Sequence, residues 1–407
     1  MTDFKKIRAD FPILGQKIND QGLVYLDNSA TTQKPQQVID GIVEYYTKMN
    51  CNVHRSVHFL SKQASTEFEY TRKIVSEFLN SKKSKQIVFT SGTTESINLV
   101  ANSYGNNFVE KDDEVLITEM EHHSNIVPWQ MLCENKKARL KIIPFDDDGN
   151  LNLDELENII SDKTKVLSAT YVSNVLGTIN PIKKIIEIAH EKDIPVLVDG
   201  AQAVQHMPVD VQDLDCDFFV FSGHKIYAET GIGILYAKEK WLNKMPPYKY
   251  GGGMISKVSL KGTTFSEIPF KFEAGTSNIS AVISLGKAIK YVENIGLEQI
   301  QEQERKLTNY ALDRLRSIDG ITIYGNPAER CGIISFNLDN IHHYDAVLIL
   351  DKLGIAVRSG KHCAETVMDH FKINGCLRAS IAFYNSKEDI DRLIAGLKKV
   401  QEMQSQT

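Results

Sequence analysis

From Gln86 to about Ala237 the chain alternates short apolar runs with amphipathic stretches. The runs are Ile87–Thr90, Glu114–Thr118, Leu140–Pro144, Val166–Val172, Pro195–Asp199, Phe218–Ser222 and Gly231–Tyr236. They are short and rich in β-branched and aromatic residues, which predicts buried strands. Between several of them Thr94–Ser103, Leu153–Ser161 and Ile182–Lys192 have the pattern of helices. Strands alternating with helices predict an α/β fold: one large domain whose mostly parallel sheet is covered by helices on both faces.

Beyond Gly251–Gly253 the pattern changes. It predicts a loop to Asn278, a long helix over Ile279–Ile295 and another over Glu298–Arg316. A smaller α+β lobe follows, with strands at Gly332–Phe336 and Ala356–Val357. Its last helix carries Ile390, Leu393, Ile394, Leu397 and Val400 at helical spacing. The expected organisation is an N-terminal segment (1–20) packing on the small domain, a large domain (21–278) and a small C-terminal domain (279–407).

Composition narrows the function classes. The 407 residues are 42% hydrophobic and 24% charged, as in a globular protein with a large core. The net charge of −5, without a run of Lys or Arg, gives no footprint for nucleic acid or an anionic membrane. The first residues lack a signal-peptide apolar region, and no apolar run approaches the roughly 20 residues that span a bilayer, so a cytoplasmic location is expected. The six cysteines are scattered without metal-binding or redox spacing and are expected to be free thiols. The sequence has no GxGxxG, no GxxxxGK[ST] and no HExxH, so any cofactor is held another way, and no metal site is expected.

In open α/β sheets ligands lie beyond the carboxyl ends of the strands. Three runs end informatively. Ile87–Thr90 leads into Ser91-Gly92-Thr93-Thr94-Glu95 and then a helix, which offers a phosphate cradle or an ordinary helix cap. Pro195–Val198 delivers Asp199, a carboxylate at a buried strand end that needs a partner such as a cationic ring nitrogen, or else caps the next helix. Phe218–Phe221 ends in Ser222-Gly223-His224-Lys225, with another core strand close behind. A lysine there is either snorkelling to the surface or desolvated, with a lowered pKa suited to a Schiff base. A phosphate site, an acid for a pyridinium and a Schiff-base lysine together are what pyridoxal phosphate demands.

Other groups extend the set. His122, in Glu121-His122-His123-Ser124-Asn125, is a candidate to lie against a pyridine ring. Cys363 comes shortly after Arg358, Lys361 and His362, which favours thiolate, although a buried inert thiol would also fit. Arg378 could clamp a carboxylate or form a surface ion pair. Cys133, Cys216 and Cys331 lack basic neighbours and are read as inert, and Cys51 is uninformative.

Almost end to end, the chain resembles the class V aminotransferase family of pyridoxal phosphate fold type I, and within it the cysteine desulfurases of the Suf type. The resemblance is carried by Tyr25-Leu26-Asp27-Asn28, Ala30-Thr31-Thr32-Gln33-Lys34-Pro35, Asn52-Val53-His54-Arg55, Gly92-Thr93-Thr94-Glu95 and Glu121-His122-His123. It continues through Ile126-Val127-Pro128-Trp129, Val172-Ser173-Asn174, Val198-Asp199-Gly200-Ala201-Gln202, Ser222-Gly223-His224-Lys225 and Arg378-Ala379-Ser380.

The resemblance implies that Lys225 holds pyridoxal 5'-phosphate as a Schiff base, Asp199 pairs with its pyridinium nitrogen, His122 stacks on its ring and Gln202 bonds its phenolic oxygen. It assigns the phosphate to Thr94, Ser222 and His224, with Thr276 donated by the second subunit of a homodimer. Asn174 and Arg378 match the residues that hold the substrate carboxylate, and Arg358 is expected to position thiol or substrate. The implied reaction takes sulfur from L-cysteine onto Cys363 and releases alanine, for iron–sulfur cluster assembly. The short Arg358-Ser359-Gly360-Lys361-His362-Cys363-Ala364 segment resembles the Suf type, and Tyr344 before Asp345 favours a SufE-like acceptor protein.

Ser29, Ser91, Ala228-Glu229, Ser277 and Lys361 depart from the family pattern; Glu229 and Lys361 bear on loop geometry and on the charge around Cys363. A selenocysteine lyase or cysteine sulfinate desulfinase on the same scaffold is the alternative within enzymes. A catalytically idle assembly scaffold is the alternative outside them.

Overall fold

The computed structural model describes residues 2–54 and 56–404. Arg55 of the Asn52-Val53-His54-Arg55 motif, residue 1 and residues 405–407 lie outside the described residues, so the first and last expected segments are described only in part. The large sheet contains seven strands: β1 (Ile87–Thr90), β2 (Glu114–Thr118), β3 (Arg139–Ile143), β4 (Thr164–Thr170), β5 (Val196–Asp199), β6 (Phe218–Ser222) and β7 (Gly233–Ala237). Their spatial order is β1-β7-β6-β5-β4-β2-β3. All pairings are parallel except those of β7, which runs against both β1 and β6. This is the α/β architecture the alternation predicts. β2, β5, β6 and β7 are buried along their whole length, which is why their sequences are apolar runs.

The antiparallel strand sets the site. A Cβ on Gly233 would lie 2.3 Å from the Gly92 Cα, so only glycine lets the start of β7 lie flush against the turn after β1. That turn opens the helix α1 (Thr93–Val100). Helices cover both faces of the sheet: α2 (Ile182–His190) and α3 (Ile279–Ile295) lie on one, α1 and the helix Val127–Lys136 on the other. Two apolar cores result, one on each face.

The second region holds a four-stranded antiparallel sheet, ordered β8 (Ile321–Ile323), β9 (Ile333–Leu338), β11 (Cys376–Ser380) and β10 (Arg358–Gly360). It packs under α4 (Leu297–Arg316) and α5 (Lys387–Gln404), where Ile390, Leu393, Ile394, Leu397 and Val400 are all buried.

Three sequence expectations need correction. The stretch expected to be a loop up to Asn278 contains a hairpin, Ile255–Ser259 with Gly262–Phe265; its strands are exposed, and no buried apolar run announces them. The strand expected at Ala356–Val357 is Ile355–Ala356, and it pairs in parallel with Val24–Tyr25 outside the four-stranded sheet. Cys376–Ser380, not marked as a strand by the pattern, is the central partner of β9 and β10. In the N-terminal segment, Arg8 pairs with Asp389 at 2.8 Å, while Phe11 packs against Tyr227 and Tyr291 as well as Phe383 and Tyr384.

Candidate active site

β6 ends at Ser222 and a tight turn, Gly223–Lys225, carries the lysine into a cavity of about 290 Å³. The turn is gripped from the N-terminal side: the His224 carbonyl accepts from Thr31 Oγ1 and Thr32 Oγ1 at 3.1 Å each and from Lys34 Nζ at 3.2 Å. The same cavity is lined by Asp199, Gln202, His122, Thr94, Ser222 and His224. Asn174, Arg378, Arg358 and Cys363 complete its wall. Strand ends and loops far apart in the chain thus converge, as the strand-end rule requires.

Burial governs the charges at the floor. It lowers Lys225 to about 8, against the opposing pull of Asp199. Burial raises Asp199, which accepts one hydrogen bond, from Ala201 N at 2.9 Å. Glu121 is raised to about 8, first by burial and also by Asp199; it accepts from Thr118 Oγ1, Asn125 Nδ2 and Thr170 N. Burial lowers His122 to about 3 and His224 to about 4, and Lys225 pushes both further down, so both rings are neutral. The His122 Nδ1 accepts from Ser124 N at 3.1 Å, which leaves the proton of the neutral ring on Nε2.

At the α1 end of the cavity the Ser222 hydroxyl accepts from Thr93 N at 2.8 Å and also bonds Thr93 Oγ1. The first-turn amides of α1 have no preceding intrahelical carbonyl and suit an anion. Glu95 holds the turn that leads into this helix: it accepts from Ser91 N, ahead of the N-cap Gly92, at 2.6 Å and is ion-paired with Lys249.

At the opposite end Arg378 is buried; its Nη1 donates to the Asn174 carbonyl at 2.8 Å and its Nη2 reaches Asp27 at 3.4 Å. Its Nε is buried without a partner, and burial lowers its pKa. It is therefore not a surface ion pair. Arg358 makes a forked pair with Asp27, at 3.0 and 2.9 Å.

The Cys363 thiol is exposed at the rim. His362 and Cys363 both have positive φ, 56° and 55°, a conformation that costs residues with a Cβ about 1–3 kcal/mol each. Backbone contacts hold it: His123 N donates to the Cys363 carbonyl at 2.9 Å and Asn174 Nδ2 to the His362 carbonyl at 2.8 Å. The neighbours expected to favour thiolate have other partners, although Arg358 still acts on Cys363 electrostatically across the cavity. His362 turns inward against the Cys376 carbonyl and burial lowers it to about 3, Lys361 pairs with Glu365, and Arg358 pairs with Asp27.

Thr276 does not reach this cavity. It lines another, with His54, Gly252, Phe270 and Glu273.

The profile of aminotransferase class-V matches residues 24–393. The chain belongs to the class-V aminotransferase family. A cysteine desulfurase of Escherichia coli O8 (strain IAI1) is 52% identical over 396 residues, 97% of each chain. Among solved structures, the cysteine desulfurase CsdA of Escherichia coli superposes with a TM-score of 0.93 at 36% identity, and that of Thermococcus onnurineus NA1 with 0.93 at 39%, each covering 99% of both chains. The fold is that of the pyridoxal phosphate enzymes of fold type I.

Class-V aminotransferases use pyridoxal phosphate, and the cavity fits it. A buried carboxylate with one hydrogen bond, a desolvated amine and a helix N-terminus stand around one space. Several members of this constellation escape strand-end reasoning. Asp27, which holds both arginines, and Lys34, lowered to about 8 by burial beneath the lysine turn, are reached only by long-range contacts. Glu121 stands in the same motif as His122, but its burial carries no local signal.

Proposed function

We propose that the chain is a cysteine desulfurase of the Suf type, which converts L-cysteine to L-alanine and keeps the sulfur as a persulfide on Cys363. The observation that carries this reading is that the desolvated Lys225 amine and the exposed Cys363 thiol line one cavity. In this reading pyridoxal phosphate is held by Lys225, Asp199, Gln202 and His122, with Thr94, Ser222 and His224 at its phosphate. Bound there, it supplies a sink for the electron pair left at the substrate α-carbon. Lys225, with an amine that is easily neutral, moves the α-proton. Arg378, through its unpaired Nε, and Asn174 hold the substrate carboxylate, with Arg358 and Asp27 fixing the wall beside them.

The Cys363 thiolate attacks the substrate sulfur. The new S–S bond forms as the Cβ–Sγ bond breaks, the bonding pair stays with the carbon skeleton, and reprotonation of that skeleton gives alanine. One thiol and one cysteine thus yield one persulfide and one alanine.

The pinned loop around Cys363 supports transfer to a docking acceptor of the SufE-like kind, serving iron–sulfur cluster assembly. A homodimer is the assembly this reading requires, because Thr276 stands apart from the Lys225 cavity and would be the partner subunit's phosphate ligand. Val57 and Phe59, 86% and 76% exposed next to His54, offer apolar surface for it. No described helix is long and apolar enough to cross a membrane, and all six cysteines are free, as in a reducing compartment such as the cytoplasm.

The test is a single-turnover reaction of holoprotein with L-cysteine, with alanine quantified and Cys363 mapped by mass spectrometry. The reading expects one alanine for each gain of one sulfur at Cys363. Alanine formed while Cys363 stays unmodified would overturn the nucleophile assignment.

A further inference from the structure

Gln202 lines the Lys225 cavity and donates to the Ser29 carbonyl at 2.8 Å. Its side-chain oxygen accepts from Gln205 Nε2 at 3.0 Å. The same Gln205 nitrogen lies 2.8 Å from His206 Nε2, and His206 Nδ1 lies 2.6 Å from Glu304 Oε2. None of these four side chains is more than 3% exposed. A continuous buried string therefore runs from the cavity to Glu304 on α4, at the edge of a second cavity that His206 and Arg330 also line.

Counting hydrogens gives the string one direction. An amide nitrogen has two hydrogens and no acceptor capacity. Gln205 uses both, one toward Gln202 and one toward His206. His206 Nε2 must then accept, its ring proton sits on Nδ1, and that proton points to the Glu304 carboxylate.

Gln205 Oε1 is left buried with no partner. Turning the Gln205 amide over would set its oxygen against the Gln202 oxygen, whose orientation the Ser29 carbonyl fixes independently. The fold thus accepts one unsatisfied carbonyl to keep two directed donors, a trade that a merely space-filling core has no reason to make.

We propose that Gln205, His206 and Glu304 are positioning residues that lock the Gln202 amide with its N–H side toward the cavity, so that the ring oxygen of the cofactor always meets a donor there. This rests on the reading of the cavity as a pyridoxal phosphate site. Glu304 fixes the tautomer of His206, His206 orients Gln205, and Gln205 holds the oxygen of Gln202 away from the cofactor. None of the three outer residues lines the Lys225 cavity.

The experiment uses purified holoenzyme at one pH. It records the ratio of the two absorption bands of the bound cofactor, the cofactor content after alkaline release, and the circular dichroism. Gln205→Met, which fills the space but breaks the string, should change the band ratio about two- to tenfold, the span that one directed hydrogen bond supports. The change should take the same direction as in Gln202→Leu, with cofactor content unaltered. Glu304→Leu should follow Gln205→Met. Glu304→Gln, whose amide oxygen still accepts from His206, should keep the wild-type ratio.

Superimposable spectra for wild type and Gln205→Met would overturn the proposal. So would equal changes in Glu304→Gln and Glu304→Leu. If Gln205→Met does not fold, the Glu304 pair decides alone. A folded wild-type protein that takes up no pyridoxal phosphate would instead overturn the functional reading beneath it, and is recognised by the absence of either band.

Discussion

The floor and the rim of the cavity hold their reactive groups by different means. At the floor, Lys225 comes directly after a fully buried strand, and its turn is gripped through the His224 carbonyl by Thr31, Thr32 and Lys34. Burial brings its pKa down to about 8. At the rim, Cys363 is exposed and stands on two consecutive residues of positive φ, fixed by hydrogen bonds to backbone carbonyls. The floor removes water from an amine that must lose its proton, whereas the rim presents a sulfur that must be handed on. A core can tune a group only by enclosing it, so a group that meets a partner has to be placed by directed bonds instead.

Variants test that contrast. Lys225→Ala should abolish alanine formation, by about 10⁴-fold, and remove the borohydride-reducible link to the cofactor. A retained reducible link would break the assignment of the floor. Cys363→Ala should lower sulfur release from cysteine by about 10³-fold while the visible spectrum of the bound cofactor stays that of wild type. A disturbed spectrum in that variant would show that floor and rim are not separable. Arg378→Lys, which keeps the charge but loses the fork, should raise KM for cysteine by about 10- to 100-fold with a smaller effect on kcat.

The electrostatics of the floor can be tested without substitution. At pH 7 a lysine with a pKa of about 8 is roughly a tenth neutral, against about three parts in ten thousand for an unperturbed one. Protonation removes the nucleophile, so the rate at which cofactor-free protein captures pyridoxal phosphate should rise about tenfold per pH unit below 8 and level off above it. A rise continuing to about 10 would mean that the amine is solvated. The smallest effect is expected at the rim wall: Asp27→Asn removes the charge that pairs with Arg358 and with buried Arg378 but keeps an acceptor oxygen for them, and should raise KM by about two- to tenfold.

The floor is the more legible part of the sequence. Buried strands are written as uninterrupted apolar runs, and their carboxyl ends bring Asp199, the last residue of its strand, and Thr94 and Lys225, a few residues past theirs, to one cavity. The rim is written in no such pattern. That Lys361 and His362 precede Cys363 suggests a cationic setting, yet the positive φ values turn His362 inward and leave Lys361 to Glu365. Handedness of single residues in a loop has no period to betray it. The exposed hairpin at Ile255–Phe265 escapes for a related reason, since a strand without a buried face lacks the alternation that marks one.

The short loop that carries Cys363 leaves the strand Arg358–Gly360 of the four-stranded sheet and is tied to His123 and Asn174, which lie just past strands of the seven-stranded sheet. It is a strap across the seam between the two sheets. It crosses that seam beside the Arg378–Asn174 and Ser335–Val175 bonds, so the thiol doubles as a gauge of the seam. A label on Cys363 would report the spacing of that seam from a single atom.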